Sequence, residues 1–75
     1  MERYRNIDGD SGVSAYEVGA DFIRVQFSTG ATYLYTASSA GSANIEQMKI
    51  RAREGNGLNS FINTRVRKLY ARKER

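Results

Sequence analysis

A chain of 75 residues with a net charge of +4 has room for one small domain, and at this size folding buries only about 60% of the unfolded chain's surface. It contains no histidine and no cysteine, which excludes disulfide bonds, the most common general base and the usual ligands of zinc, haem and iron–sulfur centres. An enzyme would have to rely on Asp, Glu, Lys, Tyr or Ser, so we expect a non-enzymatic protein without a cofactor.

The N-terminal segment, residues 1–12, is polar and contains the loop-forming sequence Asp-Gly-Asp-Ser-Gly. We therefore predict a flexible lead that precedes the folded domain. Its sequence is unlike a signal peptide, and no stretch of the chain reaches the roughly 20 apolar residues of a membrane span. Because a small secreted domain would more often carry disulfides, we expect a cytoplasmic location without membrane contact.

Alternating apolar residues then predict three short strands. They cover Val13–Val18, Phe22–Phe27 and residues 31–36. In the second strand Ile23, Val25 and Phe27 lie on one side, and in the third Tyr33 and Tyr35 are two residues apart. The pattern is typical of an antiparallel meander with one buried face.

The connection between the second and third strands can be predicted from the buried face. A three-residue loop over residues 28–30, with Gly30 left-handed, pairs Val25 with Tyr33 and keeps the apolar residues on one face. A two-residue turn would instead place the tyrosines on the face of Arg24. Because a slip of one residue moves every side chain to the other face, we predict the three-residue loop.

A connector rich in Ser and Ala, residues 37–43, is predicted to be flexible and leads to the first helix. That helix is predicted to begin at Ser42 or Asn44 and to end at Glu54. Gly55 follows it, which is a favourable residue for a left-handed helix end.

The second helix is predicted over residues 58–70 by the strongest periodic signal in the chain. Its apolar stripe consists of Leu58, Phe61, Ile62, Val66, Leu69 and Tyr70. The predicted fold class is α+β, with a three-stranded antiparallel β-meander followed by two helices packed on one face. The single domain would cover residues 13–70, and residues 71–75 would form a basic C-terminal tail.

Charge is divided unevenly along the chain. Residues 1–48 carry three cationic and six anionic side chains, whereas residues 49–75 carry nine and two, so the net charges are −3 and +7. On the second helix and its extension, four cations at spacings of 3, 4 and 3 would form one stripe: Arg65, Lys68, Arg72 and Arg75. Three more would extend this patch: Lys49, Arg51 and Arg53. Such a stripe could bind phosphates, or it could be the solvated face of a surface helix.

The two tyrosines of the third strand have two possible roles. Aromatic residues on a sheet can stack on unpaired bases. However, the predicted register turns Tyr33 and Tyr35 toward the helices, and aromatic residues are common in cores. We therefore expect both rings to be core residues.

The order of these features resembles the KTSC domain, a family named for its place at the C-terminus of some lysyl-tRNA synthetases. The matching pieces are residues 14–19, Val25-Gln26-Phe27 with Gly30, Tyr33-Leu34-Tyr35, and Gly57-Leu58-Asn59 with Ile62 and Tyr70. This resemblance covers about residues 13–70 and implies a sheet with helices. It supplies no chemistry, but the link to a tRNA synthetase implies RNA as a partner by analogy.

Together these features favour a small non-enzymatic binding module, with RNA or another nucleic acid bound by the basic C-terminal helix. The alternative is a protein-interaction module without a nucleic-acid role. It would use a free sheet edge, or Phe22 and Leu34 on the uncovered sheet face.

Overall fold

The computed structural model describes residues 1–5 and 12–74. In these residues the chain forms one five-stranded antiparallel sheet in the order β1-β2-β3-β4-β5, with the helices on one face. The strands are β1 (Glu2–Arg3), β2 (Val13–Val18), β3 (Phe22–Phe27), β4 (Thr32–Thr36) and β5 (Arg72–Lys73). The helices are α1 (Ala37–Ala40), α2 (Ser42–Glu54) and α3 (Leu58–Phe61), which continues into a π-helical turn (Ile62–Val66). The α+β class is confirmed, but the described sheet has five strands instead of three.

The first additional strand lies in the segment that was predicted to be a flexible lead. Glu2 pairs with Tyr16 of β2, and the Tyr4 side chain that follows is buried. The Tyr4 hydroxyl accepts a hydrogen bond from the backbone N–H of Leu58 at 3.2 Å. The prediction is therefore wrong for residues 1–5, because one buried aromatic side chain anchors an otherwise polar segment. Residues 6–11 lie outside the described part of the chain.

The predicted three-residue loop between β3 and β4 is confirmed. Val25 pairs with Tyr33, and the N–H of Phe27 donates to the carbonyl of Ala31 at 2.8 Å. Gly30 has a φ of 96°, a conformation that a residue with a Cβ adopts at a cost. The loop therefore keeps Val25, Tyr33 and Tyr35 on the face that the helices cover.

The expected flexible connector is a short helix. In α1 the Thr36 hydroxyl accepts from the N–H of Ser39, and the Ser39 hydroxyl accepts from the N–H of Thr36, which completes a capping box. One serine of the connector, Ser39, therefore serves helix capping. Helix α2 confirms the prediction for the first helix, and Gly55 ends it with a φ of 73°.

The second predicted helix is shorter than its apolar pattern indicates. Leu58, Ile62 and Val66 are buried as predicted, but Leu69 and Tyr70 are 40% and 39% exposed. Helical structure ends with the π-helical turn and a following turn at residues 67–68. The stripe is therefore correct through Val66 and wrong beyond it.

The chain leaves the helix because it completes the sheet. The N–H of Ala71 donates to the carbonyl of Leu34 at 2.6 Å, and the N–H of Glu74 donates to that of Thr32 at 2.7 Å. These bonds satisfy backbone groups of β4 that a shorter sheet would leave open. The prediction of a basic tail over residues 71–75 is thus wrong for residues 71–74, and Arg75 lies outside the described residues.

The core lies between the helices and one face of the sheet. From the sheet it takes Ile23, Val25 and Tyr35, and from the helices it takes residues such as Met48 and Leu58, all 1% exposed or less. The predicted packing of the helices on one face is confirmed. The core ends before the β3–β4 loop, which leaves part of the helix-side face open.

Candidate nucleic-acid interface

An open cleft of about 440 Å³ lies where the helices stop covering the sheet. One wall is the helix-side face of β3 and β4 with their connecting loop, and the other is the π-helical turn with the segment that follows it. The residues that determine its chemistry are Phe27, Tyr33, Tyr35, Asn63, Arg67 and Tyr70. Its volume falls within the range of about 300–1,000 Å³ that is typical of small-molecule sites.

The aromatic wall of the cleft is centred on Tyr33. Its ring meets Phe27 edge-to-face, with centroids 5.6 Å apart, and meets Tyr70 at 4.8 Å. Tyr70 also meets Tyr35 edge-to-face at 6.3 Å. The three-residue loop produces this cluster, because its register places Phe27 and Tyr33 on the same sheet face. Tyr33 is half-buried and Tyr70 is exposed, so the wall presents ring surface to a ligand.

Cations stand at the rim of this wall. Arg67 and Lys68 line the cleft and are exposed. The Lys73 ammonium lies 5.9 Å from the centre of the Tyr33 ring, within the range of a cation–π interaction. Within residues 1–5 and 12–74, none of these three cations forms an ion pair, and no acidic residue lines the cleft. The rim therefore keeps its positive field.

Polar groups complete the lining. Ser28 and Thr29 come from the β3–β4 loop, and Asn63 comes from the π-helical turn. Asn63 is exposed, and in the described part of the chain its amide makes no hydrogen bond to the protein. An amide offers both a donor and an acceptor, so Asn63 is free to bond a ligand in the cleft.

Burial changes the pKa of Tyr35, the most deeply buried ring of the cleft. Burial, with smaller contributions from Tyr33 and Tyr70, raises the pKa of Tyr35 to about 12. The Tyr35 phenol is neutral at pH 7, as for any tyrosine, and burial keeps it neutral further into the alkaline range.

The predicted basic stripe is divided by the end of the helix. Arg65 and Lys68 are three positions apart and both exposed, although Arg65 does not line the cleft. Arg72 lies on β5, where its guanidinium pairs with Glu74 at 3.1 Å. The stripe through Arg72 is therefore wrong, because β5 pairs with β4 and no helix continues there. Arg75 lies outside the described residues.

The three predicted cations of α2 lie outside the cleft. Lys49 is buried, and its ammonium donates to the carbonyl of Ala20 at 2.9 Å and to the Glu46 carboxylate. Arg51 donates to the Gln47 side chain and lies over the Phe61 ring. Arg53 is exposed. Other parts of the protein engage the side chains of Lys49 and Arg51, so the described geometry does not favour them as phosphate contacts, and the extension of the patch stays a prediction.

Sequence reasoning missed several residues of the cleft. Arg67 was outside the predicted stripe, and Tyr33 was expected in the core, with base stacking considered only as the alternative. Phe27 and Tyr70 were treated as parts of apolar patterns, with no role at a site. The sequence does contain one signal for the site, an aromatic residue near the loop end of each strand that flanks Gly30. Loops lie on the surface, so an aromatic residue beside a loop is less completely covered by helices than one at the centre of a strand.

Comparison of the chain with protein-family models, with curated proteins and with solved structures gives no match in any of the three. The resemblance to the KTSC domain therefore stays a prediction. Among the described residues, no helix has the length and apolar character needed to cross a membrane.

Proposed function

We propose that the chain is a small non-enzymatic module that binds nucleic acid, with RNA as the favoured ligand. The observation that carries the proposal is the open aromatic cleft whose rim holds Arg67 and Lys68 without an ion-pair partner among the described residues. Because a small secreted domain would more often carry disulfides, the same proposal puts the module in the cytoplasm.

Phosphate groups would meet three neighbouring cations. Arg65, Arg67 and Lys68 fall within four consecutive positions at the exposed end of the helical segment. A guanidinium can bind a phosphate through two parallel hydrogen bonds, and the ammonium adds a point charge beside it. Contacts of this kind release counterions, so the affinity would fall as the salt concentration rises.

The alternative of a protein partner has less support in the described residues. The two sheet edges, β1 and β5, are two residues long and carry the charged sequences Glu2-Arg3 and Arg72-Lys73. Short charged edges discourage the addition of another strand. On the uncovered sheet face, the Arg24 guanidinium lies 5.3 Å from the centre of the Phe22 ring and covers part of the apolar surface. These features favour nucleic acid over a strand-adding protein.

The test is a fluorescence-anisotropy titration of a labelled single-stranded RNA at several salt concentrations. Three phosphate contacts predict a slope of log affinity against log salt of about −2, at roughly −0.7 per contact. The variant Arg65→Ala/Arg67→Ala/Lys68→Ala should lose most of the affinity and flatten the slope.

A matched control separates the site from overall charge. The variant Arg3→Ala/Arg5→Ala removes two charges from exposed positions that do not line the cleft, for comparison with Arg67→Ala/Lys68→Ala. It should keep the affinity near that of the unmodified protein. Equal losses in both variants would assign binding to net charge, and no binding even at low salt would overturn the proposal.

A further inference from the structure

The cleft has more than a phosphate-binding rim, because aromatic side chains line it together with the cations. Tyr33 lies in the sheet-side wall, and its ring contacts the ring of Tyr70. Tyr70 belongs to the same segment as Arg67 and Lys68, and Asn63 precedes them on the π-helical turn. A ligand that matched the whole site would combine a planar ring, hydrogen-bonding groups at its edge and a negative charge.

We propose that the cleft binds one unpaired nucleobase, with its ring against Tyr33 and Tyr70 and its phosphate on Arg67 and Lys68. This inference rests on the proposed function and names the part of the nucleic acid that the cleft recognises. The same chemistry is present in an exposed base of a single strand and in a free nucleotide, and the experiment below distinguishes these two sources.

The size of the site favours a single nucleotide over a double helix. A cleft of about 440 Å³ has the volume of a small-molecule site, and the whole molecule measures 30 × 24 × 22 Å. In a duplex the base faces are covered by their neighbours, so a stacking wall can act on a base only when it is unpaired.

The aromatic wall has the right exposure for stacking. Tyr70 is 39% exposed although it contacts two other rings, so part of its surface remains in contact with water. A base that covers this surface would remove apolar area from water. Stacking of this kind contributes about 5- to 150-fold in affinity per base.

The π-helical turn gives the site a means to contact the base edge. Such turns are rare and occur frequently at functional sites. Here the turn carries Asn63 into the cleft lining with an amide that is free of protein hydrogen bonds in the described residues. An amide can pair with the donor and acceptor groups that every base presents at its edge.

The experiment compares a labelled single-stranded RNA 10-mer with a blunt duplex of the same sequence, for the unmodified protein and for Tyr70→Ala. We expect Tyr70→Ala to weaken single-strand binding by about 5- to 150-fold while duplex binding and the salt slope stay unchanged. Tyr70→Phe keeps a stacking ring and should restore the single-strand affinity. A loss that is equal for the single strand and the duplex, or no loss at all, would overturn the inference.

A second variant covers the possibility that Tyr70→Ala disturbs the fold. Asn63→Ala changes an exposed side chain without a protein partner in the described residues. It should alter the order of the affinities for the four homopolymeric single-stranded RNAs and leave the slope of log affinity against log salt unchanged. An unchanged ranking, together with a Tyr70→Ala protein that binds normally, would also contradict the inference.

Backbone amide NMR shifts distinguish the source of the base. Adenosine 5′-monophosphate and an adenosine trinucleotide should both shift the amides of residues 63, 67 and 70. Tighter saturation by the trinucleotide identifies a strand as the ligand, and equal or tighter saturation by the mononucleotide identifies a free nucleotide. If neither shifts these amides while RNA still binds with a salt slope, the cleft inference fails and the proposed function stands.

Discussion

The cations on the two sides of the sheet differ in whether they form ion pairs within the described residues. On the uncovered face the Arg24 guanidinium bonds to Glu74 at 2.6 Å and to Glu17, and Arg72 bonds to the same Glu74. On the helix-side face, at the cleft, Arg67 has no carboxylate partner among the described residues. The positive charge of the C-terminal third therefore includes a structural part and an available part, and position in the sequence alone does not separate them.

The ion pairs of the uncovered face hold the C-terminal segment in place. Glu74 follows β5, whereas Arg24 lies on β3, so their pair spans β4 and reinforces the backbone bonds between β4 and β5. Holding β5 also holds Tyr70, which precedes it and forms part of the cleft wall. The ion pairs of the uncovered face thus help to hold Tyr70 in position at the cleft, where the proposed ligand would bind.

The largest difference in the free energy of unfolding is expected between substitutions of two neighbouring residues of β3 that lie on opposite sheet faces. Ile23→Ala should lower the free energy of unfolding by about 2–5 kcal/mol, because Ile23 is fully buried under the helices. Arg24→Ala on the other face should cost about 1 kcal/mol or less, because its ion pairs are partly solvated. Urea denaturation of both variants measures the two values, and similar losses would contradict a core confined to one face.

The protein should lose stability at alkaline pH because of a buried tyrosine on the helix-side face of the sheet. Because burial raises the pKa of Tyr35 to about 12, the unfolded chain releases this proton at a lower pH than the folded protein does. The stability from Tyr35 is therefore complete below about pH 10 and is lost as the pH rises toward 12. Urea unfolding at pH 9, 10 and 11 should show this fall, and Tyr35→Phe should reduce it. A full fall in Tyr35→Phe would show that other groups cause it.

Single-charge variants sharpen the division between available and structural cations. Arg67→Ala should weaken RNA binding by roughly two- to tenfold at low salt, because one phosphate contact is lost. Arg72→Ala removes the same charge from a side chain that Glu74 already engages, so its effect on affinity should be smaller. Anisotropy titrations compare the two variants, and a larger loss in Arg72→Ala would reverse the proposed roles.

The smallest effect on stability is expected from the ion pairs of the uncovered sheet face as the pH falls. The hydrogen bond from Arg24, assisted by Arg72, lowers the pKa of Glu74 below its usual value. The stability from this carboxylate is present above its unfolded pKa near 4.5 and is lost as the pH falls through the lower folded value. Glu74→Gln should lower the melting temperature at pH 6 by about 2–4 °C and have less effect at pH 3. An equal shift at both pH values for Glu74→Gln would contradict the ion-pair account.

The sequence allowed the central part of the fold to be predicted where local pattern and burial agree. The β3–β4 register followed from the requirement that Val25 and Tyr33 share a face, and the end of α2 followed from Gly55. The edge strands could not be predicted in this way. Each is two residues long, and it forms because backbone groups find a partner in a neighbouring strand, which leaves no periodic pattern.

The site was less predictable than the fold because it depends on where a helix ends. The apolar spacing continues through Leu69 and Tyr70, so the pattern alone extends the helix to those residues. Pairing of β5 with β4 overrides it, and this moves Tyr70 into the cleft and Arg72 onto the sheet. Clustering of positive charge was visible in the sequence, whereas the division into paired and unpaired cations required the tertiary structure.

The order of the strands in the sheet has a consequence for how the domain folds. Because every strand of the described sheet pairs with its neighbours in sequence, most of it can grow by successive hairpins with little loss of loop entropy. Contacts such as the Arg24–Glu74 pair, which joins residues 50 positions apart, require the chain end to return to the sheet. We therefore expect the cleft to be assembled late in folding and to open early by fraying of the C-terminal residues, so that a bound ligand would slow this opening.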